Sequence, residues 1–161
     1  MKMTLFSFKK GDIKEGDELP NIRLVDHAGE VFETDELKGK WQVYYFYPKD
    51  NTAGCTKEGR EFSRLAPEFE KNGIAICGVS TDNPDTHQKF REKNDLKHRL
   101  LSDTDGGFAK RFGIKIMLGM CRRDTVIVDP EGRVDKIFRG VSPSNNPPEV
   151  LDYVLNKTGK K

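Results

Sequence analysis

The apolar run Trp41–Tyr47, WQVYYFY, most restricts how this chain folds, because it stops at Pro48 and gives way to KDNTAGC and then to TKEGREFSRLAPEFE. Aromatic and β-branched residues suit a covered strand, and a proline has no N–H to extend a ladder. The strand therefore ends at Pro48. Beyond the polar loop, Thr52 or Gly54 can cap a helix, Glu58 falls in its first turns, and Phe62, Leu65 and Phe69 recur at helical spacing as its buried stripe. Cys55 accordingly falls at or near a helix N-terminus.

A thiol in that position feels the positive end of the helix dipole and unpaired backbone N–H groups, both of which favour the thiolate. Most free cysteines are instead small buried hydrophobes. The polar flanks Thr52, Lys57 and Glu58 are unlike a core and favour the reactive reading.

At 161 residues without a long structureless linker, the chain reads as one domain over residues 1–161, large enough for its own core. Residues 1–12 lack a clear period and read as an N-terminal extension. Charged residues make up 34% of the chain but the net charge is only +2, and Lys and Arg are scattered among Asp and Glu. No basic stripe for nucleic acid results. No apolar run is long enough to cross a bilayer, and MKMTLFSFKK is too charged for a signal peptide, so a cytoplasmic protein without a membrane partner is expected. Cys55, Cys77 and Cys121 are widely spaced and form no CxxC, which argues against a disulfide framework, a zinc ribbon or a thioredoxin-type dithiol. His27, His87 and His98 make no ligand motif with them. Neither a metal nor a cofactor is expected.

Taken in order, residues 21–25 and 30–33 alternate around DHAG and predict a β-hairpin with Gly29 at a positive φ. A helical turn at 35–37, the central strand and the cysteine helix follow. IAICGVS, Ile74–Ser80, is an apolar run suited to a strand covered on both faces. TDNPDTHQKFREKND predicts a surface helix with Phe90 inward, placing His87 in its first turns as a surface or capping residue. A strand at 98–102, a helix at 105–112 ending at Gly113, a hairpin in DTVIVDPEGRVDKIF and a last helix from 145–148 complete the order. Met117, Leu118 and Met120 read first as a loop packed on the core, with a substrate mouth or a partner surface as the alternative. The fold class is α/β, a thioredoxin-like fold with a mixed central β-sheet, helices on both faces and an N-terminal β-hairpin.

The spacing of Pro48, Thr52 and Cys55 within YPKDNTAGCTKE resembles the active-site segment of peroxiredoxins, and within them the peroxiredoxin Q or bacterioferritin comigratory subfamily. GVSTDNPDTHQKF and LLSDTDGGFAKRFGI are similar to further segments of that family, and the likeness runs from Lys14 to Asn156. It implies a thiol peroxidase in which the Cys55 thiolate attacks a hydroperoxide substrate, the Thr52 hydroxyl bridges thiolate and peroxide, and Pro48 shields the intermediate. RRDTVIVD resembles the family's arginine segment, and counting back from Thr125 and Asp129 selects Arg123. Strand alternation agrees, since Arg123 and Thr125 share a face and Arg122 points the other way. Glu58 either orients an arginine or is a solvated helix charge.

Several positions depart from the family. Asp124 stands where a small hydroxyl residue is usual and would weaken the field of Arg123 unless it faces solvent. Ala53 replaces a frequent proline. Arg60 stands where many members carry a second cysteine, and the position that others use on the next helix, near Arg91, also lacks one. Cys77 reads as a buried packing residue, and Cys121 either resolves the oxidised Cys55 or fills apolar space. Without a resolving thiol, the cycle uses one cysteine and an external reductant such as thioredoxin, glutaredoxin or a small thiol. The subfamily likeness implies a monomer or weak homodimer. A non-catalytic thioredoxin-fold binding or chaperone module is the alternative, and a disulfide reductase is disfavoured for want of a CxxC.

Overall fold

The computed structural model describes residues 11–159, so most of the expected extension at 1–12 lies outside the described residues. Gly11 and Ile13 donate backbone hydrogen bonds to the carbonyls of Lys110 and Arg111, which dock the first described residues on the fold.

Strands β1 (Arg23–Asp26) and β2 (Val31–Glu33) form the expected hairpin, and its turn holds Gly29 at φ +80°. The alternating apolar and helical segments then build β3 (Trp41–Phe46), α1 (Ala53–Lys71), β4 (Ile74–Ser80), α2 (Pro84–Lys93) and β5 (Arg99–Ser102). Strands β3, β4 and β5 are parallel, as strand–helix–strand crossovers require. A short helix α3 (Gly107–Arg111) leads to a two-stranded hairpin, β6 (Ile116–Met117) and β7 (Met120–Cys121). Strands β8 (Thr125–Val128) and β9 (Val134–Phe138) and helix α4 (Asn146–Thr158) end the described chain. The main sheet has seven strands in the order β2-β1-β5-β4-β3-β8-β9.

Period-two alternation along β3 divides the core. Val43 and Tyr45 face Phe62 and Phe69 of α1 and Val150 and Val154 of α4. Tyr44 and Phe46 face the other way, onto Phe108 of α3 and Phe112 just after it. Both faces are thus covered by helices, giving the expected thioredoxin-like fold. None of the helices in the described residues is long and apolar enough to cross a membrane.

Two local expectations need correction. The 116–121 segment is a hairpin whose tip stands in solvent, with Leu118 93% and Met117 71% exposed, and not a loop packed on the core. Leu118 and Gly119 at the tip both take positive φ, which turns the chain outward. His87 is fully buried, because the first turn of α2 lies against the sheet and not along the surface.

Candidate active site

The site forms where β3 ends. Pro48 breaks the ladder, and the chain turns through a short loop into α1 with Thr52 as its extended N-cap. Cys55 is the third residue of the helix and is 1% exposed. The Thr52 side chain makes no cap bond; its hydroxyl donates instead to the Lys49 carbonyl at 2.8 Å, tying the loop to the helix start. The first N–H groups of α1 therefore point toward the end of the helix without a side-chain acceptor from the cap.

The antiparallel pairing of β3 with β8 brings the second half of the site to the same place. Tyr45 pairs with Thr125, and Phe46 N–H donates to the Asp124 carbonyl at 2.8 Å. Continued by one residue, that register sets Arg123 across from Tyr47, next to the Pro48 break. Arg123 lies on the Cys55 face with Thr125, and Asp124 lies on the opposite face. Arg123 Nη2 is 3.6 Å from Cys55 Sγ, while its Nη1 donates to Glu58 Oε1 at 2.7 Å. Glu58 is fully buried one turn along α1 from Cys55, where residues three apart share a helix face. Asn146, at the start of α4, donates its amide to Glu58 Oε2 at 2.9 Å and to the Thr125 hydroxyl at 2.8 Å.

Burial lifts the Glu58 carboxyl to about 7, against the pull of the Arg123 charge and of hydrogen bonds from Arg123 and Asn146. Burial acts against the Arg123 charge, but Glu58 and Cys55 outweigh it and raise the guanidinium further. A fixed cation beside a sulfur at a helix N-terminus favours thiolate and offers donors to an oxygen that gains negative charge.

Other residues singled out in the sequence lie elsewhere. Asp124 neither faces solvent nor acts on Arg123: it is fully buried on the other face, where Arg122 grips both carboxylate oxygens at 2.8 Å and Arg139 and the Gly140 N–H add further bonds. Arg60 is exposed and donates to Asn94, and Arg91 donates to the His98 carbonyl. Cys77 and Cys121 both belong to the α3-side core, and burial pushes each thiol up to about 12. Cys121 lies on the opposite sheet face from Arg123, since its strand ends there and the next begins only at Thr125. Pro48 is half-buried and lines a small apolar hollow of about 260 Å³ with Met117, Met120 and Cys121. Asn146 escaped the sequence reading, since an asparagine before two prolines reads as a helix start and nothing more.

The AhpC/TSA family profile matches residues 15–137. Peroxiredoxin Bcp of Bacillus subtilis is 34% identical over 156 residues, spanning 92% of this chain and 99% of that protein. Among solved structures, a cysteine-to-serine variant of Xylella fastidiosa PrxQ superposes with a TM-score of 0.86 at 31% identity, covering 91% of this chain and 98% of the other. Xanthomonas campestris bacterioferritin comigratory protein, in a structure concerned with its alkyl peroxide reduction activity, gives a TM-score of 0.81 at 34% identity over 90% of this chain and all of its own. The chain belongs to the AhpC/TSA family and is a peroxiredoxin similar to the Bcp and PrxQ proteins.

Proposed function

We propose that this chain, a thiol peroxidase, reduces hydrogen peroxide and organic hydroperoxides through Cys55 as the peroxidatic nucleophile. The observation that carries the assignment is the Arg123 guanidinium, which spans Cys55 Sγ and the buried Glu58. The thiolate attacks the nearer peroxide oxygen; an S–O bond forms as the O–O bond breaks, and water or an alcohol leaves once the departing oxygen takes a proton. Arg123 and the first N–H groups of α1 stabilise the negative charge on that oxygen. Thr52 presents its hydroxyl oxygen to the peroxide from the loop, Pro48 shields the sulfenic acid, and Glu58 with Asn146 orients Arg123. The activity toward alkyl peroxides named for the Xanthomonas relative supports the organic substrates.

The sulfenic acid is returned to thiol by an external reductant, such as thioredoxin, glutaredoxin or a small thiol. A one-cysteine cycle is favoured over resolution by Cys121, whose buried thiol packs in the core of the opposite sheet face. Three unpaired thiols suit a cytoplasmic setting, and the chain acts as a monomer or weak homodimer. The binding-module alternative loses its support, since Arg60 and Asp124 make their bonds away from Cys55.

The test is peroxide consumption with dithiothreitol or thioredoxin as reductant, in the wild-type protein and in C55S and C121S. Turnover in the wild type and C121S and none in C55S is expected. Undiminished turnover in C55S would overturn the assignment.

A further inference from the structure

Below the loop that carries Pro48 and Thr52 runs a line of buried polar groups that the peroxide chemistry does not itself use. The Tyr47 hydroxyl donates to Asp50 Oδ1 at 2.6 Å, Asp50 Oδ2 is 2.6 Å from His87 Nδ1, and His87 Nε2 is 3.0 Å from the Leu101 carbonyl. The Asp50 and His87 side chains are both 0% exposed. A carbonyl can only accept, so Nε2 carries a hydrogen, and the contact between Nδ1 and Oδ2 holds one further proton between ring and carboxyl. Burial raises Tyr47 well above the usual phenol range, which keeps it a donor.

The backbone of Asp50 is held as well. Its N–H donates to Asp82 Oδ2 at 2.8 Å, and Asp82 also accepts from the Ser80 hydroxyl at 2.6 Å. Asp50 is thus fixed by Tyr47 just past β3, by the β4–α2 loop and by the first turn of α2. The next residue, Asn51, sits at φ +69°, a left-handed conformation that asparagine adopts more readily than other residues with a side chain and that turns the chain sharply toward the helix start. After Asn51 comes Thr52, the N-cap, and Cys55 follows three residues later. A buried hydrogen-bonded pair of this kind adds little net stability compared with apolar packing, but it fixes geometry.

We infer that Asp50 and His87 are positioning residues that hold the left-handed Asn51 turn and so set Thr52 and Cys55 for attack on peroxide; this rests on the peroxidase reading above. Neither touches the substrate. Their effect falls on the alignment of the loop, where a displacement of about 1 Å can lower a rate by about a hundredfold.

The experiment compares, in the full chain, the rate constant of Cys55 with hydrogen peroxide and its rate of alkylation by iodoacetamide, for wild type, D50A, H87A, D50N and Y47F. Alkylation needs the thiolate but not the peroxide alignment, so it separates positioning from a general loss of structure. D50A and H87A are expected to lose about tenfold or more in the peroxide rate relative to the alkylation rate. D50N is expected to recover most of it, because the asparagine carbonyl accepts from Tyr47 and its amide donates to a neutral His87. Peroxide and alkylation rates that stay together in D50A and H87A would overturn the inference. If neither variant folds, Y47F, which removes only the hydroxyl, should lower the ratio about threefold, and an unchanged ratio there would overturn it. A wild-type protein inert toward peroxide would instead overturn the peroxidase reading.

Discussion

Glu58 binds Arg123 at 2.7 Å from a position that solvent does not reach, and it does so one helical turn from Cys55. The helix repeat puts sulfur and carboxylate on one face, and the strand register of β8 brings a planar guanidinium to both. One side chain thereby couples the nucleophile to a buried acid whose own protonation lies near neutral pH.

A lysine at position 123 keeps a charge but loses the planar fork that serves two partners. R123K is expected to lower the rate constant with hydrogen peroxide about a hundredfold, and R123A somewhat more. R123A also leaves Glu58 without its cation and should lose about 1–3 kcal/mol of stability. Stopped-flow kinetics and urea denaturation measure the two effects.

The Glu58 carboxyl is raised by burial from 4.5 to about 7 in the folded protein. Between those values the folded state binds more protons than the unfolded state. Its contribution is therefore fully present below pH 4.5 and is lost as pH rises through about 7, with a size of order 3 kcal/mol. E58Q removes that titration, and flipping the Asn146 amide lets the new side chain keep both hydrogen bonds. The stability difference between E58Q and wild type should widen from pH 4.5 to 7, and parallel profiles would refute the assignment.

Gly54 gives the guanidinium room: a Cβ there would lie 3.1 Å from Arg123 Nη2 and 3.4 Å from Pro143 Cγ. Alanine suits a helix better than glycine, although in the first turn it gains less than the roughly 1 kcal/mol of a helix interior. G54A should therefore equal or exceed the wild type in thermal stability while reacting with peroxide about tenfold more slowly, as a displaced donor would cause.

Asp124 predicts the converse. Burial pushes its carboxyl up, but hydrogen bonds from Arg122, the Gly140 N–H and Arg139 outweigh this and hold it below the usual range. Its contribution is present above the unfolded value of 3.8 and is lost as pH falls through the lowered folded value. D124A should cost about 3 kcal/mol at pH 7 and leave the peroxide rate within about twofold, because the side chain lies on the sheet face away from Cys55.

Much of this was legible in the chain itself. The proline break after an aromatic strand fixed where β3 ends, and the 3.6-residue stripe of Phe62, Leu65 and Phe69 fixed the face of α1, so Cys55 at the helix start followed from local rules alone. Arg123 was legible because two residues, Thr125 and Asp129, anchored the count and strand parity agreed. His87 was not, because a helix that begins with Asn83 and Pro84 reads as exposed and only the tertiary contact with Asp50 reveals its burial. Asn146 was hidden for the same reason. The face of Cys121 was not legible either, since alternation can be counted only along an unbroken strand and residues 122–124 separate β7 from β8.

The most direct measurement is intact and peptide mass spectrometry after one equivalent of hydrogen peroxide, without reductant and with a sulfenic-acid trap. The account predicts one trapped adduct, on Cys55, with Cys77 and Cys121 unmodified. An unmodified Cys55 would contradict the assignment of the nucleophile, and a disulfide between Cys55 and Cys121 within one chain would contradict the one-cysteine cycle.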